Sequence, residues 1–415
     1  MNLQLMFNKL KNKNINLVIL DQVIISGSSF LVTILLINFI GLEEFGIFSF
    51  FWLIFLLINS FQLSSIISPM MTNSGLYEEN KKSFYYGGVF IQQIILIIFI
   101  LILLKIFFLI SNHERFDLNI VKFQSLIFLI IISSQLYQFF RRYLFAEKKF
   151  IFSIFLDLFV NLILFISILY FYYFEVLNLE KIFLCFLFAY LFGALLSLYL
   201  FKQLRFSKLA FVKSIKINIK IAKWLVCTYV LQWFSGNFWI IYAGILLGPI
   251  FLGAFRACQT VVNVFNLVFQ SLENYYPNKI SQIYKIGGNL SMKTYINKIN
   301  SYGFLVILIL ALILALFSKQ VLILFYGKEI SEFYYLLIAL SFLLPIIFIK
   351  YFYHFALRTL KNTRPIFVSY VFSSLFTITL SKIIIEKYQE SGFVIGYMLT
   401  ELILLIITFY SFKKI

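Results

Sequence analysis

Residues 94–104 read IILIIFILILL, a run in which no side chain carries a polar atom. This run lies inside a longer apolar stretch, 84–110, which is long enough to cross a hydrocarbon layer of about 30 Å as a helix. Similar stretches recur along the chain, and together they give twelve candidate spans: 17–40, 46–68, 84–110, 120–140, 152–173, 181–201, 222–247, 250–272, 301–317, 332–350, 366–385 and 393–412. Because a backbone in lipid must satisfy its own hydrogen bonds, runs of this length favour helices over barrel strands.

The composition supports a membrane protein. Hydrophobic residues make up 62% of the 415 residues, charged residues only 13%, and the mean hydropathy is +0.95. A soluble domain is about half apolar and about a quarter charged. The charged residues here are too few to cover a water-exposed surface, so we expect an all-α integral membrane protein with about twelve transmembrane helices.

The orientation follows from the positions of the 35 Lys and Arg residues. The N-terminus, the even-numbered loops and the C-terminal tail carry 26 of them, whereas the odd-numbered loops carry 5. Cytoplasmic loops are enriched in Lys and Arg. We therefore expect a multi-pass membrane protein with both termini in the cytoplasm.

The two halves of the chain resemble each other. Gly41 and Gly46 follow the first span, and Gly248 and Gly253 follow the seventh, 207 positions later. This spacing predicts two six-helix bundles related by pseudo-twofold symmetry. We expect an N-terminal bundle at 1–201, a basic cytoplasmic linker at 202–223 and a C-terminal bundle at 224–415.

Polar residues inside the spans follow helical stripes. The most extensive stripe, in span 8, has spacings of three and four: Arg256, Gln259, Asn263, Asn266, Gln270 and Glu273. Shorter stripes provide Gln232 and Ser235 in span 7, Gln22, Ser26 and Ser29 in span 1, and Asn59 and Gln62 in span 2. Because lipid-facing positions are apolar, these residues are expected to line a substrate cavity. The alternative is helix packing, in which such hydrogen bonds contribute about 0.6 kcal/mol each.

Charged residues inside the spans need a partner. A cation in a span costs at least about 2.5–3.5 kcal/mol on insertion scales, so Arg256 requires a carboxylate, water or an anionic ligand. Asp157 in span 5 is a candidate for coupling transport to H+ or Na+, or it neutralises Arg141 or Arg142. Asp21, at the start of span 1, is expected to be solvated near the interface.

Several kinds of site are not indicated by the sequence. It has two histidines, and we find no phosphate-binding loop of the Walker type, no HExxH motif and no metal-ligand pattern. We therefore expect no enzymatic activity, no catalytic residue, no cofactor, no metal site and no nucleic-acid partner. Energy for transport would come from an ion gradient or the membrane potential.

Motifs in the second half resemble a known family. They are Lys223-Trp224-Leu225, Gln232-Trp233-Phe234-Ser235-Gly236-Asn237, Leu247-Gly248-Pro249, Gly253-Ala254-Phe255-Arg256-Ala257-Cys258-Gln259 and Gln270-Ser271-Leu272-Glu273-Asn274. They resemble O-antigen and polysaccharide flippases of the Wzx type, in the superfamily that also holds multidrug (MATE) exporters and lipid II flippases. Spans 1 and 2 contain no arginine, so the cavity arginines known elsewhere in that family have no counterpart there.

The resemblance implies alternating access and a polyprenyl-diphosphate-linked oligosaccharide, an O-antigen or related surface polysaccharide unit, as substrate. Membrane lipids and the polymerase of the same pathway are the further partners expected. Arg142, Arg358 and Glu273 would form a cytoplasmic gate that meets the headgroup.

Two alternatives stay open: a MATE-type exporter of small solutes, and a membrane polysaccharide polymerase. A polymerase is disfavoured because no predicted outer loop exceeds about 15 residues.

Overall fold

The computed structural model describes residues 3–111, 120–174 and 176–414. This part of the chain consists of helices joined by short turns and loops, and it contains no strand. Its α-helices are α1 (Leu3–Gln62), α2 (Ser68–Asn73), α3 (Glu79–Ser111), α4 (Gln124–Ala146), α5 (Phe150–Tyr173), α6 (Leu179–Ser197), α7 (Lys208–Leu246), α8 (Pro249–Val262), α9 (Asn266–Leu316), α10 (Ser318–Tyr326), α11 (Tyr334–Thr359) and α12 (Arg364–Lys413). The π-helical turn Leu63–Ile67 joins α1 to α2, and the 3₁₀ turn Asn263–Phe265 joins α8 to α9.

Seven helical stretches of the described chain are long and apolar enough to cross a membrane. Three of them, Leu20–Asn73, Pro249–Leu316 and Arg364–Lys413, have 54, 68 and 50 residues. Since one crossing takes about 20 residues, each of these three accommodates two crossings. Each of the other four accommodates one crossing. The helices α4 and α7 are not among the seven stretches, but they coincide with the fourth and seventh predicted spans, so the helices correspond in position to the twelve predicted spans. The predicted all-α membrane fold is confirmed.

The long helices bend where the sequence predicts loops. Gly41 in α1 and Gly288 in α9 have φ of +80° and +64°, and Gln389 in α12 has φ of +51°. A residue at positive φ interrupts a right-handed helix. Each of these bends separates two of the predicted spans.

The chain divides into two compact units. The first comprises Met1–Ser29 and Ile54–Val230; the second comprises Phe30–Leu53 and Leu231–Ile415. The segment 30–53, which contains the first glycine pair, therefore groups with the later residues. The domain boundaries at 201 and 224 stay a prediction.

Each unit has its own core. In the first unit, Phe90 packs edge-on against Phe139, and Gly193 of α6 lies against Tyr137 of α4. In the second unit, a cluster of buried aromatic and aliphatic side chains joins α9 to α11, and it includes Phe269, Phe348 and Phe352. The two cores fix the helices that carry the polar residues of the candidate sites.

The predicted basic linker is mostly helical. From Lys208 onward it forms the first turns of α7, and Ser214 and Asn218 are buried on one side of that helix. Asn218 accepts hydrogen bonds from Asn73 at 3.0 Å and from Tyr85 at 2.8 Å. All seven basic side chains of the linker are exposed: Lys202, Arg205, Lys208, Lys213, Lys216, Lys220 and Lys223.

Candidate substrate and ion-coupling sites

Arg256 lies in the middle of α8, and its side chain is partly buried. Its Nη1 donates to Oε1 of Gln259, one turn later, at 2.5 Å. Within the described chain, Arg256 makes no ion pair with a carboxylate. The cation is therefore held by an amide and by a neighbouring phenol, and it keeps the capacity to bind an anion.

That phenol belongs to Tyr397 of α12. Arg256, Lys350 and Glu401 all lie within electrostatic range of it, and Gln259 interacts with its hydroxyl. Tyr397 and Glu401 are separated by one helical turn, so they share a face of α12. Tyr397 thus connects the arginine of α8 to charged residues on two other helices.

Lys350 and Glu401 form an ion pair between α11 and α12. The Nζ of Lys350 is 2.5 Å from Oε2 of Glu401, and Lys350 is buried. Tyr370 lies in electrostatic range of both groups. We refer to Arg256, Gln259, Lys350, Tyr370, Tyr397 and Glu401 together as the cation-rich cluster.

The cation-rich cluster has one positive charge without a carboxylate partner among the described residues, because Glu401 pairs with Lys350, whereas Arg256 interacts with Gln259 and Tyr397. His354 is close by: it is buried one turn after Lys350, its ring lies 6.5 Å from that of Tyr370, and its Nε2 has no hydrogen-bond partner. A buried cation is stable only when it is paired or solvated. The excess charge therefore makes this cluster a suitable place for an anionic ligand.

The rest of the span 8 stripe continues along α9. Nδ2 of Asn266 donates to Oδ1 of Asn263 at 3.0 Å, and both side chains are exposed. Beyond them, Nη1 of Arg358 lies 2.7 Å from Oε1 of Glu273 in a partly exposed ion pair. Two of the three residues predicted as a gate are therefore brought together.

The two span 7 residues differ in their surroundings. Gln232 is exposed, whereas Ser235 is buried and its hydroxyl lies 2.8 Å from that of Ser373 in α12. The bond of Ser235 joins two helices, which is the packing alternative considered above. Gln232 has the exposure that a cavity-lining residue requires, and its lining role stays a prediction.

The first unit contains a different cluster, centred on Arg141 of α4. Its Nη2 donates to Oδ2 of Asp21 at 2.6 Å, and its Nε donates to Oδ2 of Asp157 at 2.7 Å. Tyr137 donates its hydroxyl to Oδ1 of Asp157. All four residues, which we call the acid–arginine cluster, are buried.

The acid–arginine cluster contains more acid than base. Two carboxyl groups share one guanidinium, and Oδ1 of Asp21 has no hydrogen-bond partner. The expectation that Asp21 is solvated is wrong, because only 3% of the residue is exposed. Arg142, the predicted gate residue, is partly buried next to the cluster and lies 5.7 Å from the ring of Phe145.

The remaining predicted lining residues lie on α1. Nε2 of Gln22 donates to the hydroxyl of Ser26 at 3.1 Å, and Ser29 is exposed. Oδ1 of Asn59 accepts from Gln135 of α4 at 2.8 Å, and Gln62 donates to the backbone oxygen of Gln135 at 2.6 Å. The amides of Asn59 and Gln62 are therefore bonded between helices, and their role in a cavity stays a prediction.

Sequence reasoning missed the pair between Lys350 and Glu401. Glu401 is an acid inside span 12. A charged residue inside a span needs a partner or marks a functional site, and this reasoning, which selected Asp157, applies equally to Glu401. Lys350 is the last residue of predicted span 10, and a lysine at the end of a span is expected to belong to the adjacent loop. No group of three or more potential metal ligands of the His, Cys, Asp and Glu types was found in the described residues.

No protein-family model matches this sequence, and no curated protein matches it. Several solved structures are similar to this chain. A lipid II flippase, MurJ, in an inward closed conformation aligns with a TM-score of 0.75 at 16% identity, over 95% of this chain and 87% of that chain. An inward-facing multidrug resistance MATE family transporter of the MOP superfamily aligns with a TM-score of 0.71 at 12% identity, over 95% of both chains. A MOP superfamily transporter from Pyrococcus furiosus aligns with a TM-score of 0.64 at 13% identity, over 96% of this chain and 94% of that chain. This chain therefore has the fold of MOP superfamily transporters.

Proposed function

We propose that this protein is a flippase, not an enzyme, and that it moves polyprenyl-diphosphate-linked oligosaccharide from the cytoplasmic to the outer leaflet of a bacterial cytoplasmic membrane. The cargo would be a repeat unit of O-antigen or a related surface polysaccharide. The similarity in fold to a lipid II flippase supports a lipid-linked cargo. The sequence motifs of residues 223–274 support a saccharide.

The observation that carries this proposal is Arg256. It is a partly buried cation in an apolar helix, and its described partners are an amide and a phenol. The cargo carries a diphosphate, and guanidinium groups bind phosphate oxygens through paired, charge-assisted hydrogen bonds. Arg256 would hold the diphosphate while the polyprenyl tail stays in the bilayer.

The surroundings of Arg256 support the same ligand. The excess positive charge of the cation-rich cluster favours an anion, and Gln259, Asn263 and Asn266 offer amides to the sugar hydroxyl groups. The partly exposed pair of Arg358 and Glu273 would act as a gate, since its ions can separate into water at small cost. The gate role of Arg142, which lies in the first unit, stays a prediction from the sequence.

The acid–arginine cluster supports ion coupling. With both carboxyl groups ionised, the four residues of the cluster carry one negative charge in excess, which the adjacent Arg142 offsets in part, and Oδ1 of Asp21 has no hydrogen-bond partner. A proton or Na+ would neutralise that charge, and the cost of burying it would disappear. Asp157, the residue selected from the sequence, would act together with Asp21 because both contact Arg141.

Export of drugs or other small solutes is the second candidate, supported by the similarity in fold to a MATE transporter. Proteoliposomes loaded with either a polyprenyl-diphosphate saccharide or a cationic dye separate the two under imposed proton and sodium gradients. Movement of the saccharide donor without export of the dye is the expected result. Export of the dye with an immobile donor would replace the flippase proposal by the exporter.

A further inference from the structure

A crevice opens on the surface of the first unit, between α4, α5, α6 and the 3₁₀ turn Leu198–Gln203. Its floor is formed by the buried Leu144 and Leu156, and its walls by Phe152, Leu196 and Tyr199. These wall residues are 66%, 50% and 70% exposed. The crevice is therefore an apolar recess that is accessible from outside the chain.

The crevice lies at the beginning of a membrane-spanning helix. Phe152 and Leu156 fall in the first two turns of α5, so the recess reaches about 9 Å along the helix from Phe150. Its volume of about 230 Å³ is smaller than the roughly 300–1,000 Å³ of pockets that enclose drug-sized ligands. This size suits a single hydrocarbon chain and not a saccharide headgroup.

Two of the polar residues that line the crevice, Lys149 and Gln203, contact each other. Nζ of Lys149 donates to Oε1 of Gln203 at 3.3 Å, and the hydroxyl of Tyr143 donates to the same oxygen at 3.0 Å. In the part of the chain with described coordinates, Lys149 pairs with no carboxylate. Glu147, which is nearby in sequence, accepts a hydrogen bond from Tyr86 at 2.6 Å. The ammonium group of Lys149 has three N–H donors, and the bond to Gln203 uses one of them, so it can also donate to a ligand.

Further positive charge lies near Lys149. Lys148 is exposed next to Lys149, and the exposed Lys202 lies 5.6 Å from the ring of Tyr199. The loop that carries Lys148 and Lys149 is predicted to be cytoplasmic. Anionic lipids of the cytoplasmic leaflet attract basic residues at this level of the bilayer.

We propose that the crevice binds one acyl chain of an anionic phospholipid, whose headgroup phosphate contacts Lys149. The apolar recess takes the chain, and the unpaired lysine takes the phosphate at the depth where the helix leaves the hydrocarbon. All residues that line this site belong to the first unit, and Arg256 is not one of them. It does not depend on which cargo the protein transports.

The test uses the full-length protein in nanodiscs that contain phosphatidylglycerol or phosphatidylcholine with a nitroxide on the acyl chain. The immobilised fraction, measured by electron paramagnetic resonance, is expected to be about fivefold richer in phosphatidylglycerol, as for one lysine near an anionic lipid. Lys149→Gln should clearly reduce the preference for phosphatidylglycerol, and the remainder is expected from the nearby Lys148 and Lys202. Leu196→Trp, at an exposed wall position, should fill the crevice and reduce the immobilised fraction of both lipids.

Lys181→Gln is the matched control, because Lys181 lies at the start of α6, 5.5 Å from the ring of Phe171, and does not line the crevice. It should leave the lipid preference unchanged. Immobilisation that is the same in wild type, Lys149→Gln and Leu196→Trp would overturn the proposal. Displacement of labelled phosphatidylglycerol by sub-stoichiometric polyprenyl diphosphate would also overturn it, since the crevice would then belong to the cargo tail.

Discussion

A Cβ atom on Gly46 would overlap the carbonyl oxygen of Pro249, so the backbones of α1 and α8 touch at this point in the second unit. The contact is reciprocal, because a Cβ on Gly253 would lie 3.2 Å from the amide nitrogen of Gly46. Gly41 and Gly248, five residues before each of these glycines, have φ of +80° and +91°. The two repeated glycine pairs of the sequence therefore have the same local structure.

Gly46→Ala is expected to destabilise the protein, because neither backbone can move away without disturbing its helix. Overpacking of a close contact costs about 1–3 kcal/mol. Thermal unfolding of the purified protein in detergent measures this effect. Gly236→Ala is the control, since a Cβ on Gly236 meets no atom within 4 Å. An equal effect of the two substitutions would contradict the close contact.

Arg141→Met is expected to be strongly destabilising. The substitution leaves Asp21 and Asp157 buried without their cation, and breaking a buried pair in this way costs about 3–5 kcal/mol. Arg142→Met is the matched control, because the neighbouring Arg142 makes a ring contact with Phe145 and no ion pair in the described chain. The same unfolding assay should separate the two variants; similar melting temperatures would argue against the acid–arginine cluster as a structural unit.

Asp21→Asn is expected to remove the dependence of transport on an ion gradient. The substitution deletes the excess negative charge, so a proton or Na+ has nothing to neutralise, while Asp157 keeps its bonds to Arg141. Proteoliposomes with imposed pH or sodium gradients report the stimulation of transport directly. Glu78→Gln, in an exposed pair with Lys81, serves as the control. Full stimulation in the Asp21→Asn protein would exclude this cluster from coupling.

Lys350 and Glu401 should show coupled energetics. Lys350→Met leaves Glu401 without its partner and is expected to cost about 3–5 kcal/mol, whereas adding Glu401→Leu should recover much of the loss. A double-mutant cycle from unfolding data isolates the interaction, which for residues in contact is about 0.5–3 kcal/mol. Strictly additive effects of the two substitutions would mean that the interaction between Lys350 and Glu401 contributes nothing to the free energy of unfolding.

The sequence predicts those features that depend on local chemistry. Apolar length determines where a span lies, and the repeated glycines indicate where the backbone bends or packs closely. The hydrogen bond of Arg256 to Gln259 follows from their spacing of three residues in the helical stripe of α8. These inferences require only the residues of one segment.

The features that were missed depend on contacts between distant segments. Asp21 and Arg141 are 120 positions apart, and only the packing of α1 against α4 buries them together. Lys350 and Glu401 likewise meet because α11 and α12 are neighbours. A serine has the same side chain whether it lines a cavity or bonds another helix. The sequence alone therefore does not distinguish these two roles for Ser235, and the distinction requires knowledge of its neighbour Ser373.

The central claim, that Arg256 holds the diphosphate of a lipid-linked saccharide, is tested most directly by the flipping rate of a fluorescent polyprenyl-diphosphate saccharide in proteoliposomes. The rate should fall by at least about tenfold in Arg256→Ala, corresponding to about 1.4 kcal/mol, and partly recover in Arg256→Lys, which keeps the charge without the paired donors. Equal amounts of folded, reconstituted protein make the rates comparable. Unchanged flipping by Arg256→Ala would contradict the account.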